Sequence, residues 1–191
     1  MPLVIPTLIG EPIELFPPQH ERTALKKYFQ NPETRVIDDY ILFHSFVNFC
    51  SIIMPITKDF QVVALRHFRH GSNQVMIELP GGTGQENETP TQAVIRELKE
   101  ETGYQAQAVT LLHQNLIFFE PQTLNSTFYA FVAEGCTIAD EEVKRNDDNE
   151  YCEPMVVPLN QWKAMVRNGE VVDAKSIVVT HLALCERALA P

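Results

Sequence analysis

Residues 82–104 read GTGQENETPTQAVIRELKEETGY, and the rest of the chain is arranged around them. The stretch opens as a turn and continues as an acidic helix. Thr89 is a good N-cap, with a side-chain oxygen suited to an orphan N–H of the first turn. Pro90 fits the first helical position, where a missing N–H is no loss. Gln92 follows Thr89 by three residues and completes a capping-box pattern. Gly103 suits the left-handed residue that ends a helix. At about 100° per residue, Glu97, Glu100 and Glu101 share one narrow face. Val94, Ile95 and Leu98 lie on the adjacent face, the expected core side. Three like charges on one face repel, and a cation relieves the crowding. Mg²⁺ is a hard ion that takes oxygen ligands and keeps several waters, which makes it the natural candidate, with Mn²⁺ as a substitute. A bare Glu-Glu pair is more often a solvated Glu/Lys surface; the larger pattern sets this one apart.

The stretch resembles the Nudix box: a glycine, five residues, a glutamate, seven residues, then Arg-Glu-aliphatic-x-Glu-Glu-x-Gly-aliphatic. Gly82, Glu88, Arg96, Glu97, Leu98, Glu100, Glu101 and Gly103 fall in register, and Tyr104 stands where an aliphatic residue is usual. Seven fixed identities at usages of about 7% each arise by chance roughly once in 10⁸ starting points, so coincidence is a poor account of the match. The resemblance implies an α+β Nudix fold, a mixed β-sheet sandwiched between helices, here with an N-terminal β extension. It also implies a Mg²⁺-dependent hydrolase of P–O–P bridges, with Glu97, Glu100, Glu101 and the Gly81 peptide as metal donors. Arg96 would then orient the neighbouring glutamates, and Glu88 would support the turn or the metal.

Composition agrees with one sizeable core. The chain has 191 residues, 45% hydrophobic and 21% charged, ordinary values for a globular protein. A net charge of −10 argues against nucleic acid as the main partner, since phosphate backbones need basic patches. It does not exclude a small anionic substrate held by a few arginines and a metal. Cys50, Cys136, Cys152 and Cys185 form no Cys-x-x-Cys unit, so reduced core thiols are expected rather than zinc or a disulfide framework. The first residues, MPLVIPTLIGEPIELF, are broken by prolines and carry glutamates but no basic run, unlike a secretory signal. No apolar run of about 18 residues offers a membrane span. The expected location is cytoplasmic.

Residues 1–45 read as a proline-punctuated extension and 46–191 as the main domain. Within the extension, residues 21–30 suggest a short helix and residues 36–46 a strand. Strands are expected at 49–56, 61–67, 74–79, 106–113, 115–119, 126–132 and 155–157. Residues 134–150 are acidic and read as a loop. Asn160 is placed to cap one C-terminal helix and Asp173 another, running from residue 174 to about 189.

Outside the box the chain resembles the ADP-ribose pyrophosphatases and related nucleoside-diphosphate-sugar hydrolases. The similar runs are VALRHFRHG with IELPGG, and NEYCEPMVVPLNQWKAMVRNGEVVDAKS. That likeness implies roles for Arg66 and Arg69 at a pyrophosphate, since the guanidinium fork matches phosphate oxygens bidentately. Glu78 would hold the terminal ribose or pair with an arginine. Pro121 lies near a proline associated with ADP-ribose preference, but its surroundings, FFEPQTLNS, depart from the usual run. Phe118 and Phe119 are candidates for base stacking or for core. The matching general base is Glu150, with Asp148 beside it; in other branches a box glutamate serves, which here is Glu100. ADP-ribose is the favoured substrate. The alternatives are another nucleoside-diphosphate sugar such as GDP-mannose, a dinucleotide, or a domain that senses ADP-ribose without cleaving it. The resemblance also implies a homodimer completed by the N-terminal strands.

Overall fold

The computed structural model describes residues 3–19, 22–47, 49–139 and 152–189, the last four as backbone. The chain divides into two compact units. One comprises Met1–Val47 with Phe118–Ser126, and the other Asn48–Ile117 with Thr127–Pro191.

The first unit is an antiparallel meander of β1 (Thr7–Glu14), β2 (Arg22–Gln30) and β3 (Ile37–Ser45), in that order across the sheet. Where a helix was expected over residues 21–30, the structure has strand β2. Its Ala, Leu and Lys residues favour a helix in isolation. As the central strand, however, β2 satisfies backbone groups on both edges, pairing with β3 along its whole length and with β1 from Leu25 to Gln30. Tertiary pairing overrides the local preference. Cross-strand contacts add to it: Lys26 Nζ meets Asp39 Oδ2 at 2.8 Å, and Phe29 packs edge-on against Tyr40. The segment 118–126 docks on β3. Phe43 N–H donates to Thr123 O, and Asn125 exchanges two hydrogen bonds with the Ser45 backbone.

The second unit is built on a nine-stranded mixed sheet. Its strands are β4 (Cys50–Thr57), β5 (Gln61–Arg69), β6 (Gln74–Glu78), β7 (Gly81–Thr83), β8 (Tyr104–Gln105), β9 (Ala108–Leu111), β10 (Ile117–Phe118), β11 (Thr127–Ile138) and β12 (Cys152–Pro158). The central row runs β10-β11-β4-β5-β12; β11 and β4 are parallel, whereas β5 runs antiparallel to both β4 and β12. β11 extends through Ile138, beyond the expected end at residue 132, with a register shift at Gly135, whose φ is +64°. Every residue from Ser51 to Ile56 is buried, as befits a strand covered on both faces.

Helices α1 (Pro90–Thr102) and α3 (Ala174–Leu189) both pack on β4. Ile53, Val94, Leu98, Phe131 and Cys136 form one core cluster, with Tyr104 packed against it. Ile95 is not part of that core and is 46% exposed. Helix α2 (Leu159–Asn168) starts after Pro158 with no side-chain cap, so Asn160 does not serve as one. Trp162 is fully buried, and its Nε1 donates to Thr180 Oγ1, joining α2 to α3.

Candidate active site on the acidic helix

Local sequence sets α1 as anticipated. Thr89 Oγ1 accepts the Gln92 N–H, Gln92 Oε1 accepts the Thr89 N–H, and Pro90 takes the first turn. Gly103 closes the helix at φ 74°, its N–H donating to Lys99 O. The buried stripe includes Ala93, Val94, Glu97, Leu98 and Glu101. Two carboxylates therefore lie on the inward side of the helix, and they meet the turn that joins β6 to β7.

At that turn the chain changes partners. β6 pairs with β5 as far as Glu78, and β7 pairs with β4 from Gly81. Between them, Leu79 N–H donates to Ser176 Oγ, Pro80 O accepts the Ile53 N–H, and Gly81 N–H donates to Glu101 Oε2 at 2.8 Å. Of the next two positions, the first fits only glycine and the second gives a carboxylate room. Gly81 has φ 151°, and a Cβ there would lie 2.2 Å from Ser51 O. A Cβ on Gly82 would lie 2.3 Å from Glu97 Oε1. The missing side chain makes room for a carboxylate.

Arg96 is the cation on the acidic face. Its guanidinium donates to Glu88 Oε1 and Oε2, to Glu97 Oε1, to Glu100 Oε2 and to Thr83 O, at 2.9–3.1 Å. Glu88 also accepts the Gln85 N–H, tying the loop before the helix to this hub. Hydrogen bonding from Arg96 holds the Glu88 carboxyl below the usual range. The Glu88, Glu100 and Glu97 carboxylates together raise the Arg96 pKa despite partial burial. Part of the charge relief expected from a metal thus comes from the chain itself.

Arg69 Nε and Nη2 grip the Glu78 carboxylate at 2.6–3.0 Å, and Glu78 is 1% exposed. Burial works against the Arg69 charge, but Glu78 more than offsets it and the pKa rises. Of the two roles open to Glu78, pairing with arginine is the one this geometry shows. Arg66 lies exposed and pairs across strands with Glu153 at 3.3 Å. Between them His67 is buried, and its Nδ1 has no hydrogen-bond partner among the described residues. Burial, then the nearby Arg69, lowers its pKa.

Pro121 belongs to the first unit. Glu120 accepts the Gln122 and Thr123 N–H groups, closing a turn around it. Pro121, Phe118, Phe43 and Lys27 line a cavity of about 220 Å³ there, and Phe119, Phe43 and Arg22 line another of about 330 Å³. Asp148 and Glu150 lie outside the described residues.

Glu97, Glu100, Glu101 and the Gly81 peptide offer only hard oxygen donors, the set that Mg²⁺ takes. In this structure the carboxylates are held by Arg96 and by Gly81 N–H, and among the described residues no three His, Cys, Asp or Glu side chains already stand at metal-ligating geometry. The donor set and the glycine cradle fit a divalent cation.

A profile of the NUDIX domain matches residues 48–177. The chain belongs to the Nudix family. Its relatives include the ADP-ribose pyrophosphatase of Bacillus subtilis, 27% identical over 137 residues and 72% of each chain. The GDP-mannose pyrophosphatase of Escherichia coli is 25% identical over 141 residues, 70% of this chain and 72% of that one. A crystal structure described as an ADP compounds hydrolase superposes with a TM-score of 0.82 at 19% identity, covering 98% of this chain and 97% of the other, which shows the shared fold. This Nudix protein is a hydrolase with the box glutamates all in place.

Proposed function

We propose that the protein hydrolyses the pyrophosphate bridge of a nucleoside diphosphate linked to a sugar, using Mg²⁺, with ADP-ribose converted to AMP and ribose 5-phosphate. The Gly81–Glu101 hydrogen bond carries the reading, because it closes an all-oxygen donor set around a turn that only glycine can form. Relatives named for ADP-ribose and GDP-mannose supply the substrate class.

Glu97, Glu100, Glu101 and the Gly81 carbonyl are the residues we assign to the metal. A bound divalent cation would neutralise phosphoryl charge and help orient a water for in-line attack. Arg96 keeps Glu97 and Glu100 aimed through its hydrogen bonds. Arg66 and Arg69 are assigned to phosphate oxygens, with Glu78 fixing Arg69. Glu150 takes the proton from water, and Glu100 or Asp148 inherits that role if Glu150 proves dispensable. Pro121 is assigned to substrate contact, supported by the cavity it lines.

A second reading, GDP-mannose or another nucleoside-diphosphate sugar, is favoured by one observation: the residues flanking Pro121 differ from those usual in the ADP-ribose group. A sensing domain without turnover is disfavoured by the intact box. The homodimer belongs to the same proposal. It is supported by Ile13, Ile37, Ile41 and Phe43, apolar residues of the first unit left exposed in the single chain. So does a cytoplasmic setting, in keeping with thiols that form no disulfide among the described residues.

The test is incubation with Mg²⁺ and a panel of nucleoside-diphosphate sugars and dinucleotides, with products separated by chromatography. AMP and ribose 5-phosphate from ADP-ribose support the proposal. Absence of a nucleoside monophosphate from every member overturns it, and binding by calorimetry without turnover would establish the sensing domain. Sedimentation as a monomer at micromolar concentration would remove the dimer.

A further inference from the structure

The switch of strand partners between Glu78 and Gly81 leaves one backbone donor in a gap. Leu79 lies past the end of the β5–β6 ladder and before the start of the β4–β7 ladder. Leu79 is 3% exposed, so water is not at hand for its N–H. Pro80 has no N–H and adds only a carbonyl, which Ile53 satisfies. The acceptor for Leu79 comes from 97 residues downstream, where Ser176 Oγ lies 2.8 Å away.

Ser176 is itself held. It is fully buried, its hydroxyl donates to Asp173 Oδ2 at 2.7 Å, and its N–H donates to the same oxygen at 2.9 Å. Lys175 Nζ donates to Asp173 Oδ1. Because the hydroxyl proton is committed to Asp173, the Ser176 oxygen is left to accept from Leu79. The start of α3 therefore grips the chain two residues before Gly81.

We infer that Ser176, fixed by Asp173, is a positioning residue for the metal site. It sets the Leu79–Gly81 backbone so that the Gly81 N–H meets Glu101 and the Gly81 carbonyl is presented beside the acidic helix. This deepens the function proposed above and rests on it only in taking Gly81 and Glu101 as metal donors. Three elements converge on three consecutive residues: α3 on Leu79, β4 on Pro80, and α1 on Gly81, where the ladder with β4 also begins. Removing one clamp leaves a buried donor unsatisfied, and the turn relieves it by moving.

The experiment compares wild type with Ser176→Ala, and with Asp173→Asn in case the alanine variant fails to fold. Val179→Ala serves as a control, a buried apolar residue of α3 whose side chain makes no hydrogen bond. Mn²⁺ binding without substrate is measured by electron paramagnetic resonance, and hydrogen exchange is followed at the Leu79 and Gly81 amides. We expect Ser176→Ala to weaken Mn²⁺ binding by about 10–100-fold, the range typical of groups that orient metal ligands, and to speed exchange at both amides. Asp173→Asn shifts both readouts in the same direction by less. Val179→Ala lowers the thermal midpoint but leaves Mn²⁺ affinity unchanged. Wild-type Mn²⁺ affinity in folded Ser176→Ala or Asp173→Asn overturns the inference, as does an equal loss in Val179→Ala. Failure of the function reading is distinguishable, because it would appear as absent turnover in the wild type whatever the variants do to Mn²⁺.

Discussion

Glu101 Oε2 accepts the Gly81 N–H at 2.8 Å, joining the last turn of the acidic helix to the glycine turn between β6 and β7. Glu101 is 4% exposed, and its charge helps to raise the pKa of Arg69. A buried carboxylate is tolerated only among donors and cations, so the surroundings of Glu101 favour positive charge.

Glu101→Gln separates the charge from the hydrogen bond. The amide oxygen still accepts from Gly81, so the fold is expected to survive, with a thermal midpoint near that of wild type. Mg²⁺-dependent turnover is expected to fall by more than about 100-fold, beyond the loss typical of residues that act on a metal only through others. Near-wild-type rates would remove Glu101 from the metal donors.

Arg69 is assigned two duties, holding Glu78 and contacting phosphate, and they can be pulled apart. Arg69→Met strands Glu78 as a buried charge. The expected destabilisation is roughly 2–3 kcal/mol, below the range for fully buried pairs because 39% of the Arg69 side chain is exposed. In a chain of this size that lowers the midpoint by about 4–12 °C. Arg69→Met combined with Glu78→Leu replaces the pair with apolar groups and is expected to recover most of that loss. If Arg69 also contacts phosphate, KM stays raised in the stable double variant. Recovery of KM along with stability would leave Arg69 a structural role only.

Glu150→Gln tests the proton acceptor. A general base contributes about 10²–10⁴-fold, so kcat is expected to fall by at least that lower figure while Mn²⁺ affinity is unchanged. A loss of less than about tenfold would pass the role to Glu100 or Asp148. Glu100→Gln distinguishes these, since Glu100 is also a candidate metal donor and its loss should weaken Mn²⁺ binding as well.

The acidic helix was legible because its signals are local: Thr89, Pro90, Gln92 and Gly103 each act within one turn of their own position. The sheet was legible as a set of apolar runs, and the box fixed its architecture by likeness. Three features were not legible for a shared physical reason. Strand β2 owes its state to ladders with β1 and β3, not to its own residues. Ile95 was expected inside, but Glu97 and Glu101 take inward positions because the turn at Gly81 and Gly82 needs them. Asp173 was visible as a cap, but the contact from Ser176 to Leu79 spans 97 residues and leaves no local trace. The D-A-x-S run was the only sequence sign of it.

Glu88 and Asp173 are among the carboxyls that tie stability to pH. Hydrogen bonds from Arg96 hold Glu88 below the usual glutamate range. Burial pushes Asp173 up, but Lys175 and Ser176 outweigh it and the net shift is downward. A carboxyl with a depressed folded pKa contributes stability that is complete above its unfolded pKa, about 4 here, and is lost as pH falls through the folded value. Urea midpoints of the metal-free protein should therefore vary little from these two groups between pH 7 and about 5, then fall below about pH 4. Glu88→Gln should be less stable than wild type at pH 7 and should show a shallower decline in acid. The hydrogen bonds it retains to Arg96 lack the charge that made them pH-dependent. Asp173→Asn should behave likewise. The groups share no partner, so the double variant should be flatter than either single one. An unchanged acid slope in Glu88→Gln would show that the Arg96–Glu88 pair contributes no pH-dependent stability.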